Sequence, residues 1–252
     1  MPSDGYPLTI EGETTGVSTA AELVVALDVL EGRRDREALE QLRPHLADII
    51  GQPPGLRAAM AVLQPDDQLY LAEALGDRLV EVVATPQALR DLLAGLADDR
   101  VEEALLRTLG GNRLRALIRT PGELAGILEW VYGTNDALVL ELLGQDFLAR
   151  LFQTGEELGL VLRAIDAARQ EELLAMLGLE GVTALVRDER DLAYLLRALP
   201  SAVSRRLLEH FSDAVLTDLI RDECAWRYVQ RFLEADELAY LTPRWEAASH
   251  AQ

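Results

Sequence analysis

The 252-residue sequence contains no lysine, so all 24 basic residues are arginines. This absence excludes a phosphate-loop lysine and a Schiff-base lysine. Cys224 is the only cysteine, which excludes a scaffold of internal disulfides. No run approaches the roughly 20 apolar residues that span a bilayer, and residues 1–10 show no secretory signal. We therefore expect no membrane insertion and a cytoplasmic, bacterial protein.

Positive charge is also scarce, because 43 acidic residues give the chain a net charge of −19. Direct nucleic-acid binding is not expected, since phosphate contacts need clustered positive charge. Hydrophobic residues make up 49% of the chain, and 49 residues are leucines. A chain with this much apolar surface to bury is not expected to be disordered.

The main signal is an internal repeat. Gly76, Gly110, Gly144 and Gly178 lie 34 residues apart, and a leucine precedes each one. Hydrophobic positions recur with the same period, for example in the column Leu56, Leu89, Leu124, Leu158, Leu192 and Trp226. The repeats run roughly over 31–63, 64–96, 97–131, 132–165, 166–199 and 200–233, and partial repeats at both ends are typical of the caps of a stacked array.

Each repeat is predicted to hold three short helices, such as Asp98–Leu109, Arg113–Arg119 and Pro121–Val131. The recurring glycine suits a left-handed position just past the first helix. Thr120 before Pro121 predicts a capped start of the third helix. The spacing of a capping box occurs at Thr19 and Glu22, at Thr120 and Glu123, and at Thr154 and Glu157.

These features predict an all-α fold, a right-handed-type α-solenoid of about six 34-residue repeats of three short helices with partial end caps. Short helices are unstable alone, so neighbouring repeats must share one core. The sequence contains no convincing strand pattern. The expected organisation is an extended or flexible leader over 1–18, a single solenoid domain over 19–245 and a flexible tail over 246–252.

The pattern resembles the α-solenoid class of helical-repeat proteins. The period matches the tetratricopeptide repeat, but here the Leu-Gly pairs end the first helix and two further short helices follow. Residues 64–69 and 96–101 are similar to the short-helix superhelical N-terminal domain of magnesium transporters. The resemblance implies a helical superhelix and carries over no functional residue.

Residues for catalysis or metal binding are few. His45, His210 and His250 are the only histidines, and they form no ligand cluster. Cys224 is interpreted as a small residue in a turn or the core. No nucleophile, dinucleotide or zinc-protease motif occurs, so we expect no enzyme activity, no cofactor and no bound metal.

Five residues are candidates for contact with a partner. Arg119, Arg187 and Arg221 recur at the end of the second helix, where they either bind an acidic segment or tie adjacent repeats together. Trp130 lies off the buried stripe of its helix, close to Tyr132, and exposed aromatic residues are favoured as interface anchors.

The leading hypothesis is a non-enzymatic protein-interaction scaffold or adaptor, whose acidic helical surface binds a protein partner and favours a basic one. Two alternatives stay open. One is an acidic mimic of nucleic acid that inhibits a DNA-binding protein, and the other is a regulatory domain that senses Mg²⁺. The partner and the oligomeric state do not follow from the sequence.

Overall fold

A computed structural model describes residues 5–30, 32, 34–96 and 98–249. The described chain is helical apart from one two-stranded sheet, β1 Tyr6–Ile10 and β2 Glu13–Val17, and a 3-10 turn at Arg43–His45. The helices are α1 Ala20–Leu30, α2 Asp35–Leu42, α3 Leu46–Ile50, α4 Pro53–Val62, α5 Pro65–Leu75, α6 Arg78–Val82, α7 Pro86–Leu93, α8 Asp99–Leu117, α9 Pro121–Leu128, α10 Asn135–Leu143, α11 Gln145–Leu151, α12 Gly155–Leu162, α13 Ala167–Leu177, α14 Leu179–Leu185, α15 Glu189–Ala198, α16 Ser201–His210, α17 Asp213–Leu219, α18 Glu223–Gln230 and α19 Ala235–Ser249.

The described residues form two compact units. The first unit holds the residues up to 117 together with 130–142, and the second holds 118–129 together with the residues from 143 onward. The all-α prediction is confirmed. None of the helices in the described residues is long and apolar enough to cross a membrane.

The predicted leader contains a β-hairpin, so the expectation of no strand is wrong at residues 6–17. The strands pair antiparallel, with Ile10 opposite Glu13 and Tyr6 opposite Val17. Glu11 and Gly12 between them have positive φ angles of 54° and 88°, as the two-residue turn of a twisted hairpin requires. Leu8 and Val17 are buried. Too few residues alternate here for the pattern to stand out in the sequence.

The described part of the predicted tail, residues 246–249, is helical. Helix α19 continues to Ser249 and contains Pro243, so a flexible tail over 246–252 is wrong for 246–249. Residues 250–252, and with them His250, lie outside the described residues.

The predicted starts of the third helices are confirmed. Thr120 caps α9 by accepting a hydrogen bond from the backbone N–H of Glu123, and the Glu123 carboxylate accepts from the backbone N–H of Thr120 in return. Thr154 and Asp188 accept equivalent bonds at α12 and α15. These caps satisfy N–H groups that the first turn of a helix cannot bond internally.

The recurring glycines have the predicted positive φ but not the predicted left-handed helical conformation. Gly110, Gly144 and Gly178 have φ of 67°, 75° and 72° with ψ of 166°, 154° and 148°. This region of backbone space is open essentially only to glycine. Ser212 occupies the same slot with φ −68° and caps α17 by its side chain, so a glycine is not the only solution.

The hydrophobic columns form the core. Every member of the column that begins at Leu56 is buried, including Trp226, which stacks on Trp245 with ring centroids 5.1 Å apart. The predicted core position of Trp226 is therefore confirmed. The third helices pack against one another in succession, as α1, α4 and α7 in the first unit and as α9, α12, α15 and α18 in the second.

A buried polar residue also recurs every 33 or 34 positions, in the first turn of a helix. Gln68 donates from Nε2 to the carbonyl oxygen of Met60 over 2.7 Å. Gln170 does the same to Leu162 over 2.8 Å, and the Ser204 hydroxyl donates to the Leu196 carbonyl oxygen over 3.2 Å. Each acceptor lies eight residues upstream, in the last turn of a third helix, where carbonyl groups lack an internal partner. The buried residues of this series are Asp35, Gln68, Glu102, Asp136, Gln170, Ser204 and Glu237.

Candidate interaction surface

Trp130 and Tyr132 follow α9 and are exposed, with 38% and 53% of their surface accessible. The backbone of residues 130–132 is held in place, because the Tyr132 N–H donates to Oε1 of the buried Glu102 over 3.0 Å. Asn135 Nδ2 donates to the same oxygen over 3.0 Å. An exposed aromatic pair on a fixed backbone is suited to contact with a partner, and this role stays a prediction.

Arg119, Arg187 and Arg221 are exposed and come just before the caps of α9, α15 and α18. The Arg187 backbone N–H donates to Oδ2 of Asp191 over 3.1 Å. Arg221 Nε donates to the Asp218 carbonyl oxygen at the end of α17 over 2.8 Å. The bond of Arg221 matches the interpretation that an arginine here serves a helix C-terminus.

One bond between adjacent repeats comes from Asp191, which the sequence analysis does not single out. Its Oδ1 accepts the backbone N–H of Glu156 over 3.1 Å, so a residue of α15 satisfies the start of α12. Asp191 is buried. Its place as the third residue of a capped helix is the signal that identifies it in the sequence.

A second arginine column is also missed by the sequence analysis. Arg163, Arg197 and Arg231 lie 34 residues apart, are exposed, and stand in or just after the last turn of α12, α15 and α18. A cation is favourable at a helix C-terminus. The repeat period, applied to arginine as well as to leucine, identifies this column.

Aromatic side chains lie beside Arg197, the middle arginine of this column. The Phe232 ring lies 5.9 Å from the ring of Tyr194 and 5.2 Å from that of Tyr228. The Arg197 guanidinium carbon lies 5.6 Å from the centroid of the Phe232 ring. Burial and the neighbouring hydroxyl of Tyr194 raise the pKa of Tyr228. We call this surface the Arg–aromatic face, defined by Leu160, Arg163, Tyr194, Arg197, Tyr228, Arg231 and Phe232.

Two glycines allow the helices beneath this face to approach closely. A Cβ atom on Gly159 would lie 2.8 Å from the carbonyl oxygen of Tyr194, and one on Gly155 would lie 2.8 Å from that of Asp191. Real Cβ atoms do not reach such distances, so glycine at both positions sets the spacing between α12 and α15. Leu160, 39% exposed, holds the position on α12 that Tyr194 holds on α15, 34 residues later.

Charge is distributed unevenly in the second unit. The third-helix segments 153–165, 187–199 and 221–233 hold seven arginines and seven acidic residues. The segments between and after them, 166–186, 200–220 and 234–249, hold four arginines and eleven acidic residues. The Arg–aromatic face therefore lies on helices whose net charge is close to zero, although the whole chain is acidic. The excess of acidic residues in these segments lies on the other helices.

The residues considered for catalysis are exposed. Cys224 is exposed in the first turn of α18, so its interpretation as a core residue is wrong, and His210 is exposed at the end of α16. Within residues 5–30, 32, 34–96 and 98–249, no group of three or more His, Cys, Asp or Glu side chains is arranged to hold a metal ion. Mg²⁺ sensing stays a prediction.

The chain matches no protein-family model, and neither a curated protein nor a solved structure is significantly similar to it.

Proposed function

We propose that this protein is a non-enzymatic protein-interaction scaffold, built as an α-solenoid of about six 34-residue repeats with partial end caps. The observation that carries the proposal is the Arg–aromatic face. Tyrosine and arginine dominate the energetics of protein interfaces, because they combine a large contact area with directed hydrogen bonds. Here they recur on the ends of adjacent helices, where a partner can meet several repeats at once.

The net charge of −19 has a separate role in this proposal. Long-range attraction by the acidic helices raises the association rate of a basic partner, and the Arg–aromatic face then provides the short-range contacts. Raising the ionic strength from about 0.05 M to about 0.5 M screens the first effect more than the second. We expect slower association and a smaller change in dissociation.

The test compares two charge reversals of equal size. The full chain and its R197E and R206E variants are immobilised, and proteins captured from the source cells are quantified by mass spectrometry. Arg197 belongs to the Arg–aromatic face, whereas Arg206 is exposed on α16 and pairs with Glu171 over 3.3 Å. We expect at least one protein to be captured about tenfold less by R197E and equally by R206E. Identical capture by the two variants contradicts the proposal.

A second candidate function is inhibition of a DNA-binding protein by mimicry of nucleic acid. The concentration of acidic residues on segments 166–186, 200–220 and 234–249 favours it. In that case the captured proteins bind DNA, duplex DNA displaces them from this chain, and R206E, which adds negative charge to the acidic helices, does not weaken their capture.

A further inference from the structure

The two edges of the β-hairpin differ in their hydrogen bonding. On β1, the side chain of Gln41 covers the outer edge, because its Nε2 donates to the Thr9 carbonyl oxygen over 2.9 Å and its Oε1 accepts the Thr9 N–H over 2.9 Å. Backbone groups of successive residues in an antiparallel pair point alternately toward and away from the partner strand. Thr9 therefore points its N–H and C=O away from β2.

Thr14 lies opposite Thr9, and Gly16 lies opposite Pro7, which has no N–H to pair. By the same alternation, Thr14 and Gly16 point their N–H and C=O groups outward from the other edge of the hairpin. Within the part of the chain that the structure describes, no group bonds these outward N–H and C=O groups. The outer edge of β2 is an open template for another strand.

A cleft of about 890 Å³ lies between this edge and α1. Its floor carries a stripe of α1 side chains one helical turn apart, Ala21, Val25 and Val29. Val25 is 64% exposed and Val29 is 75% exposed, the highest values among the exposed large hydrophobic side chains of the described residues. A two-stranded hairpin is marginal alone, and a third strand over this stripe completes a sheet that covers the helix.

The charges of the cleft distinguish between possible occupants. Arg34 lies at the cleft and pairs with Glu11 over 3.1 Å. Glu13 and Glu22 also line it, and no basic side chain in the described chain pairs with either. Glu22 accepts hydrogen bonds from Ser18 and Thr19, which lower its pKa and keep it charged. A second copy of this chain would place its own two carboxylates against these, whereas a basic segment would neutralise them.

We propose that the outer edge of β2 and the exposed stripe of α1 form a docking groove, in which an extended segment of a partner protein adds as a third strand. The segment alternates apolar side chains, which pack on Val25 and Val29, with arginine or lysine side chains near Glu13 and Glu22. Main-chain hydrogen bonds to Thr14 and Gly16 supply affinity, and the side chains supply specificity. The groove lies in the first unit, so it does not depend on the Arg–aromatic face.

The probe is a displayed library of random 12-residue peptides, selected on the full-length protein. We expect the selected peptides to be rich in arginine or lysine alternating with β-branched residues. The variant V29R places a positive charge in the groove at a largely exposed position, and it weakens these peptides at least tenfold. The control V215R changes the exposed Val215 of α17 in the same way and leaves binding unchanged.

Two further measurements identify strand addition. T14P removes the outward N–H of Thr14 and is expected to weaken binding of the peptides about tenfold. N-methylation is placed on one or the other set of alternate peptide residues. Only the set whose N–H groups face β2 is expected to abolish binding. No selected peptide, peptides insensitive to both V29R and T14P, or acidic peptides overturn the proposal. So does a wild-type dimer in sedimentation velocity that T14P converts to monomer, since it assigns the groove to a second copy. The variant R197E leaves peptide binding unchanged, so failure here is distinct from failure of the scaffold proposal.

Discussion

The two units differ in how often a carboxyl group fills one buried slot of the repeat, with three of four members in the first unit and one of three, Glu237, in the second. In the second unit, Gln170 and Ser204 are neutral donors, and each bonds a carbonyl group at the end of the preceding third helix. In the first unit the slot holds carboxyl groups at Asp35, Glu102 and Asp136 beside the single amide of Gln68. A carboxylate cannot donate to a carbonyl group, so the same position in the backbone has a different cost where an acid fills it.

Glu102 shows the cost of burying a carboxyl group in this slot. It is fully buried, and although its Oε1 accepts two hydrogen bonds, its Oε2 has no partner among the residues that the structure describes. Burial raises the pKa of the Glu102 carboxyl, and the bond from the Tyr132 N–H only partly opposes this rise. Burial likewise raises the pKa of Asp35 and of Glu237. Burial therefore favours the protonated form of these carboxyl groups, which can donate a hydrogen bond as Gln68 and Gln170 do.

The largest loss of stability is expected when a carboxyl group, as found at Glu102 in the first unit, replaces the amide of Gln170 in the second. Gln170 Nε2 lies 2.8 Å from the Leu162 carbonyl oxygen and 3.0 Å from that of Ala198. Q170E replaces this donor with a carboxylate that faces carbonyl oxygens, and we expect a loss of about 3 kcal/mol at pH 7, measured by urea unfolding. The control Q153E changes an exposed glutamine and stays within about 0.5 kcal/mol of the wild type. Equal values for the two variants would show that the slot does not need a donor.

The second largest loss of stability is expected where third helices approach each other closely. Both units place a glycine at such a contact. In the first unit, a Cβ on Gly55 would lie 2.8 Å from the Cβ of Ala20, and in the second a Cβ on Gly159 would meet backbone at 2.8 Å. Since backbone cannot rotate aside, G159A is expected to cost about 2 kcal/mol in thermal or urea unfolding.

The matched control for this variant is G181A, in the helix α14. No atom of the described chain lies within 4 Å of a Cβ at Gly181, so alanine there is expected to stabilise the protein by about 0.5 kcal/mol through its higher helix propensity. Similar effects of G159A and G181A would refute the account of glycine as a spacer.

Much of the helical architecture follows from the sequence because one period governs caps, stops and core positions together. Thr120 with Glu123 marks the start of α9, and the leucines of the column that begins at Leu56 are buried as predicted. The predicted helix Pro121–Val131 ends three residues early, at Leu128. Propensity alone does not fix such ends, since fraying and 3-10 turns shift them by one or two residues.

The interaction surfaces are less predictable. Trp130 and Tyr132 are correctly expected to be exposed, but the contact between Arg197 and Phe232 depends on how α15 packs on α18. The hairpin is missed because only Leu8 and Val17 are fully buried in it. The polar slot has the same 34-residue period as the leucines, yet its members differ in chemistry, which obscures the repeat in a search for identical residues.

The smallest change in stability is expected when an amide, as found at Gln170 in the second unit, replaces the carboxyl group of Glu102 in the first. This substitution tests the comparison of the two slots most directly. E102Q keeps the acceptor that bonds Tyr132 and Asn135, and it replaces the unpartnered Oε2 of Glu102 with an amide donor. We expect E102Q to be more stable than the wild type by about 1 kcal/mol at pH 7. The control E129Q, at an exposed position after α9, stays within about 0.5 kcal/mol.

The pH dependence of this gain separates the charge of Glu102 from its shape. The unfolded chain releases the Glu102 proton near its ordinary pKa of 4.5, whereas the folded chain retains it to a higher pH. The wild type therefore loses stability as the pH rises above about 4.5 and toward the raised pKa, while glutamine has no proton to lose. Below pH 4.5 both states of the wild type are protonated, and the advantage of E102Q disappears. Urea titrations of both proteins between about pH 4 and pH 8 measure the difference. A gain that is constant with pH would assign the effect to packing, and a loss at pH 7 would mean that the carboxylate, not the donor, is what the first unit selects.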